Sequence, residues 1–263
     1  MLTFCAFVGC LLGTSAPPRL PGAAVITTRY RVESSTETTV DLSGLGQPNT
    51  QNNLAQVSWI TVTVGDTAGG RTVHVVVDSI RIDGGAGILT GAADSARGGI
   101  LHGFLDPTSR LKNLTTSPNE NGLLADLQGI VHALFPRILP GATAGTAWTD
   151  TLEVPNTAGG ANLISRFTIN YTAGERETVA GVAALRVNAV TQAKVSGTLE
   201  NPMAGTMEME GTLSGNSSFL VSADGRFWGG TATATSDGIV RVAIAPSPIP
   251  VRTLRTTTIT VLR

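Results

Sequence analysis

The side chains of this sequence able to do acid–base, nucleophilic or metal chemistry are few, and their spacing matches no established constellation. His74, His102 and His132 are its histidines, each in a different segment. A zinc site draws on Cys, His and carboxylate ligands, usually in closely spaced pairs. With Cys5 and Cys10 both near the start, such a site would have to be gathered by the fold from histidines and carboxylates alone. His132 falls on the polar side of a helical pattern, and surface or hydrogen-bonded roles are expected for all three. Ser109-Arg-Leu-Lys112 has the Ser-x-x-Lys spacing of penicillin-recognising enzymes. In those enzymes the serine opens a helix, and Lys-Thr-Gly and Ser-Asp-Asn elements complete the site. Here the segment follows an Asp106-Pro107 turn and reads as a strand start, and neither companion occurs. There is no Gly-x-Ser-x-Gly elbow, no phosphate loop and no His-Glu-x-x-His. Glu208 and Glu210 stand two apart on a strand, so both carboxylates face one side, with Met207 and Met209 on the other. Paired carboxylates serve acid–base work when their surroundings separate their pKa values, but this alternation also describes an ordinary amphipathic strand, polar outside and apolar inside. Asp66, Asp78, Asp83 and Asp94 lack the regular spacing of a calcium loop. No catalytic residue, metal ligand or cofactor is therefore assigned.

The elements that must position these residues are mostly strands. Of 263 residues, 41% are hydrophobic but only 14% are charged, against the usual quarter. Thr, Ser, Asn and Gly must then supply the polar surface. Thr and Val suit a pleated, half-buried face, and 31 glycines with 13 prolines suit many turns. Net charge is −1, with no basic block. Nucleic-acid binding needs clustered Lys and Arg, so that class is excluded. Val25–Glu33 with Thr36–Leu42 is expected to form a first pair of strands. Leu54–Val64 with Arg71–Ile82 forms the clearest hairpin, turning through Gly65–Gly70. Val73, Val75 and Val77 share one face; His74, Val76 and Asp78 share the other. Later strands are expected at Leu163–Tyr171, Leu185–Thr191, Met203–Leu213, Ser217–Ser222, Phe227–Thr235, Ile239–Ala245 and Val251–Leu262. Leu163, Phe167, Ile169 and Tyr171 line one face of their strand, with Arg166, Thr168 and Asn170 opposite, the mark of a sheet with one wet side.

One helix interrupts this pattern. Ser117-Pro-Asn-Glu120 reads as a capping box with proline at the first helical position. Leu123, Leu124, Leu127, Ile130, Val131 and Leu134 then fall on one stripe at helical spacing, and Pro136 ends it. A second, shorter helix is expected over Thr90–Arg97, stopped by Gly98-Gly99.

Residues 1–16 form an uncharged apolar stretch, too short to span a bilayer and of the length of a signal-peptide core. Thr14-Ser15-Ala16 resembles a cleavage site, and Phe7-Val8-Gly9-Cys10 resembles a lipobox that would lipidate Cys10. Residues 17–23 read as a tether, and residues 24–263 as a single β-rich domain. Export to the periplasm or outer envelope of a bacterium is expected, with membrane anchoring only through Cys10.

The halves also resemble one another. Gly99–Leu111 and Gly215–Phe227 each run a strand into an Asp-containing turn that ends at Arg, at Arg110 and Arg226. That is the pattern an internal duplication leaves. The chain order is export signal, a first strand containing Tyr30, meander, capped helix, then Pro136, Pro140 and Gly145-Thr-Ala-Trp148. A second meander follows, with Gly174, Gly181, Gly211 and Asp224-Gly225. In plan it resembles uncharacterised secreted or lipid-anchored bacterial envelope proteins, and is similar to the lipoprotein-carrier superfamily, the LolA/LolB-like half-barrels. That resemblance implies a mainly β fold, a long curved antiparallel meander forming a half-barrel or open barrel, with helix packed on its apolar concave face.

Two functional readings stay open. In the first, the protein is a non-enzymatic envelope protein that binds a lipid, a lipoprotein or another apolar ligand in a cavity between sheet and helix. Leu123, Leu127, Ile130, Leu134, Met207 and Met209 are then the expected lining, methionine supplying adaptable walls. In the alternative, a structural or protein-interaction module has a solid core and no ligand.

Overall fold

In the computed structural model, the described residues are 25–262 apart from 68, 85–87, 107–108, 118–120, 157–160, 202–204, 244 and 246. The proposed leader, Cys10 and the tether lie outside them. The strands are β1 (Val25–Val40), β2 (Thr50–Thr67), β3 (Gly70–Asp83), β4 (Ile100–Leu105), β5 (Leu111–Ser117), β6 (Ala147–Asn156), β7 (Ala161–Val179), β8 (Val182–Asn201), β9 (Gly205–Ser222), β10 (Phe227–Val242) and β11 (Ile249–Leu262). Helix α1 (Ile88–Ala96) lies between β3 and β4, and α2 (Gly122–Ala133) between β5 and β6.

All eleven strands form one antiparallel half-barrel sheet in the order β5-β4-β3-β2-β1-β11-β10-β9-β8-β7-β6. Every neighbour within each run is also a sequence neighbour, as in a meander. The exception closes the middle: β1 pairs with β11 from Arg29↔Leu262 to Val40↔Val251. The sheet edges are thus β5 and β6, which are consecutive in the chain. The segment joining them carries α2.

The strands are longer and fewer than the turn residues suggest. Val25–Glu33 and Thr36–Leu42 are not a hairpin but one strand, β1, which pairs on one side with β2 and on the other with β11. Ser34 does not turn the chain. It is buried, and its hydroxyl lies 3.4 Å from that of Thr257 and accepts from Arg255 at 3.3 Å. Likewise Met203–Leu213 and Ser217–Ser222 merge in β9, and Phe227–Thr235 and Ile239–Ala245 merge in β10. The intervening Ser, Gly, Asn and Asp residues look like turns but sit in mid-strand. Gly211 and Gly215 explain why: a Cβ there would lie 2.8 Å from the Asp237 carbonyl and 2.9 Å from the Thr233 carbonyl. Glycine here permits close approach of neighbouring backbones in a bent strand. The β2–β3 hairpin also runs further than Gly65–Gly70 implies, pairing as far as Thr67↔Gly70.

Side-chain alternation holds throughout. Val73, Val75 and Val77 are buried, whereas Glu208 and Glu210 face solvent opposite half-buried Met207 and Met209. The wet face is laced by cross-strand partners such as Arg166–Glu153 at 2.8 Å and Arg241–Glu210 at 2.7 Å, and by the Thr27 and Thr63 hydroxyls at 3.3 Å. Two turns show the repeat read from sequence. Asp106 N–H donates to the Arg110 carbonyl at 3.0 Å, and Ser222 N–H to that of Arg226 at 3.0 Å. The likeness ends there, since β5 is a sheet edge and β10 is internal.

Helix α2 starts later than the capping box at Ser117 predicts. Ser117 is the last residue of β5. The cap is Asn121, whose side-chain oxygen accepts from Leu123 N–H at 2.9 Å and Leu124 N–H at 3.3 Å. Its amide nitrogen donates to the Ala92 carbonyl at 2.9 Å and to Ser95 Oγ at 2.7 Å. One buried side chain thereby starts α2 and ties it to α1.

Candidate ligand-binding site

The helical stripe divides between two environments. Leu124, Leu127, Val131 and Leu134 are almost wholly buried, in the same apolar core as Val73, Val75, Leu101 and Leu105. On the other flank of α2, facing the β6–β11 half, lies an open cleft of about 640 Å³. Of the residues expected to line a cavity, Ile130 does so. Leu123, Leu127 and Leu134 are buried in the apolar core, to which Ile130 also belongs, and do not line the cleft. Met207 and Met209 occupy the same sheet face as Phe219, but roughly 30–40 Å further along β9 at ~3.3 Å per residue. They lie beyond the cleft, because the helix covers only one end of these long strands.

The floor of the cleft is aromatic at Phe167, Tyr171, Phe219 and Phe227, and Trp148 and Tyr30 continue the row of rings beyond the cleft lining. Trp148 stacks on Tyr171 with ring centroids 5.2 Å apart, and Tyr171 meets Phe219 edge-on at 6.4 Å. Phe219 stacks on Phe227 at 5.7 Å, and Phe227 meets Tyr30 at 6.3 Å. This row crosses from β6 to β1. Phe167, Ile169 and Ile259 extend the apolar surface, and Ile130 and Phe135 face it from α2 and its exit. Opposite them the wall is low, because Gly230, Ala232 and Ala189 carry little side chain. Small residues on the sheet leave the space that the helix does not fill.

Polar groups frame this surface. Tyr30 hydroxyl donates to the Phe227 carbonyl at 3.1 Å. Burial pushes its pKa up to about 12. Tyr171 is likewise pushed up to about 12, by burial first and then by the Asp150 carboxylate. Both phenols stay neutral. His132 lines the cleft rather than standing in solvent as the helical pattern suggested, and burial lowers its pKa below 6.5. Arg255 reaches from β11 to Asp126 on α2, with Nη2 2.8 Å from Oδ2. Burial is the largest influence and opposes the Arg255 charge, but the hydrogen bond to Asp126 and the attraction of its carboxylate together outweigh burial and raise the pKa. This pair latches the helix over the centre of the sheet.

At the open edge, three charges meet from segments distant in sequence. Asp150 on β6 is buried. It pairs with Arg110 at the start of β5 and, at 3.5 Å, with Arg137 after α2. Trp148 Nε1 donates to the Arg137 carbonyl at 2.8 Å, holding that segment against β6. No sequence signal marks Arg110, Arg137 and Asp150 as neighbours. Two of them flank segments that read as turns.

The remaining chemical candidates do not form a site. Ser109 accepts from Arg71 at 3.3 Å, while Lys112 pairs with Asp106 at 2.8 Å, so the Ser-x-x-Lys members are engaged elsewhere. The structure does bring two histidines together: His74 and His102 oppose each other across β3 and β4, with their Nδ1 atoms 3.2 Å apart. Sequence spacing hid this, since strand pairing alone sets it. Among the described residues no three His, Cys, Asp or Glu side chains are grouped to hold a metal.

No protein-family model matches the chain, and no curated protein matches it in sequence. Among solved structures, one titled for lipid–protein interactions in lipovitellin aligns with 93% of this chain at 10% identity and a TM-score of 0.46. The chain spans 25% of that protein's length. A mutant porin of Rh. blastica aligns with 90% of this chain at 8% identity and a TM-score of 0.24. Likenesses at this level assign no residue, and neither of these structures bears on the expected resemblance to lipoprotein carriers.

Proposed function

We propose that this chain is a non-enzymatic, exported envelope protein that holds an apolar chain in the cleft between α2 and the β6–β11 half of the sheet. The observation that carries this reading is the cleft itself, about 640 Å³ with an aromatic and aliphatic lining. Ligand sites are concave, mostly apolar and of roughly 300–1,000 Å³, with a few fixed polar groups. Water on such a surface is released by an entering chain, worth about 0.8 kcal/mol per methylene buried. Part of that gain is offset by the ligand's lost freedom. The helix latch holds α2 over the sheet, and the neutral Tyr171 phenol with Phe219 and Phe227 provides an uncharged floor, the charged groups standing around it. Export of the protein, and a lipid or lipoprotein as its natural partner, belong to the same proposal and rest on the apolar leader.

The test is titration of delipidated protein with N-phenylnaphthylamine, a neutral apolar fluorophore. Saturable one-to-one binding is expected. Ala232→Trp places a large side chain into the cleft and should weaken binding at least about tenfold with an unchanged urea midpoint, because the space it enters is open rather than packed. Absence of saturable binding in the wild type, or binding indifferent to Ala232→Trp, would overturn the proposal.

A further inference from the structure

Among the described residues, the charges around the cleft are matched in all places but one. Arg255 is paired with Asp126, with the Arg255 Nη2 to Asp126 Oδ2 distance 2.8 Å. Lys112 is paired with Asp106 at 2.8 Å, and Glu153 turns outward to Arg166 at 2.8 Å. At the edge between β5 and β6, by contrast, two guanidinium groups share one carboxylate, that of Asp150. The two cations differ from their anion in exposure. The side chains of Arg110 and Arg137 are 40% and 42% exposed, and that of Asp150 is 9% exposed. The carboxylate therefore sits beneath the arginines, and the surplus positive charge is on the open side. Each guanidinium carries five N–H donors. Asp150 cannot satisfy both, and the 3.5 Å contact to Arg137 is already long.

We propose that the cleft takes an amphiphile with an anionic head, the carboxylate of a fatty acid, held by Arg110 and Arg137 while its acyl chain lies on the aromatic floor. The proposal rests on the cleft being a ligand site and adds the class of ligand. Guanidinium matches carboxylate geometry through two parallel N–H···O bonds. A second anion placed there turns an unbalanced pair of cations over one anion into a balanced set. Among the described residues no surplus cation lines the cleft elsewhere, so the head stays at the mouth and the chain goes inward. His132, kept neutral by burial, adds no competing charge to the wall.

Three ligands with one chain and different heads test this: dodecanoate, dodecyl phosphate and dodecanol, each displacing N-phenylnaphthylamine at low ionic strength. Dodecanoate should bind about tenfold more tightly than dodecanol, the equivalent of one charge-assisted hydrogen bond. Added salt should shrink that difference. Arg137→Gln should remove most of the preference while leaving dodecanol affinity unchanged, and Arg137→Lys should restore part of it. Arg110→Gln should act the same way. Because it uncovers Asp150, Arg137→Gln, whose side chain is more loosely held, is the decisive variant, with its melting midpoint as the check on folding. Equal affinity for acid and alcohol, or an Arg137→Gln protein that keeps the preference, would overturn the head-group assignment and leave the cleft reading standing. A clear preference for dodecyl phosphate over dodecanoate would overturn the carboxylate assignment. Failure of all three ligands and of the fluorophore would remove the cleft reading itself, and this inference with it.

Discussion

Leu127 and Ile130 are less than one helical turn apart on α2, yet they should respond differently to truncation. Leu127 is 0% exposed within the solid core, whereas Ile130 forms part of the cleft wall. Leu127→Ala removes about three carbons from a fully buried site, at about 0.8 kcal/mol each. Leu127 is fully buried in the apolar core, so the void it leaves is a closed one. At about 24 cal/mol per Å³, a void of roughly 60–80 Å³ adds about 1.5–2 kcal/mol. The expected loss is about 4 kcal/mol. At about 2–4 °C per kcal/mol for a chain of this size class, the melting midpoint should fall by roughly 8–16 °C. Ile130→Ala removes similar carbons, but the space it vacates joins a cleft that is already open. No closed void forms, and the loss should stay near the transfer cost of about 2 kcal/mol. It should also change affinity for N-phenylnaphthylamine, which Leu127→Ala should not do in the folded population. Urea unfolding with a common slope measures the first difference, and fluorescence titration the second. If Leu127→Ala costs less than Ile130→Ala, the division of the stripe into a packed flank and an open flank is wrong.

Asn121→Ala should destabilise by about 1–2 kcal/mol, since it removes the cap of α2 and the tie to Ala92 and Ser95. Ser117→Ala, in β5, should change the urea midpoint far less, and the reverse order would restore the earlier helix start. His132 has a folded-state pKa below its unfolded value of 6.5. Protons therefore bind the unfolded chain more readily as pH falls below about 6.5, and stability contributed at neutral pH is lost from there downward. His132→Gln should flatten this limb in melting curves recorded between pH 7 and 5, and an unchanged limb would show that the imidazole is not held neutral by burial.

Local pattern was enough to settle which face each residue takes. Val73, Val75 and Val77 inward, Glu208 and Glu210 outward, and Phe167, Ile169 and Tyr171 on one side all follow from the two-residue period of a strand. That period is a property of the backbone and needs no partner. The stripe of α2 was equally legible at its own period of 3.6. The expectation that nucleic acid is not a partner rests on composition alone, the want of clustered cations. Strand ends were not legible. Ser34-Ser35, Ser214-Gly215-Asn216 and Ser236-Asp237-Gly238 have turn chemistry, but each is paired on both sides in mid-strand. Whether a small polar residue turns or continues depends on whether neighbouring strands offer hydrogen bonds, which the residue itself does not encode.

The site lay further still from the sequence. Its aromatic floor at Tyr171, Phe219 and Phe227 belongs to a row of rings that runs from Trp148 on β6 to Tyr30 on β1, and that row depends on the pairing of β1 with β11, the first and last strands. Arg110, Arg137 and Asp150 meet because the sheet curves until its edges, β5 and β6, come within reach of one another. His74 and His102 meet because β3 and β4 pair in one register and not another. Sequence determined the faces, because facing is local. The tertiary structure decided the cleft, because a cleft is space left unfilled between elements, and only the curvature of the sheet and the position of one short helix on it define that space.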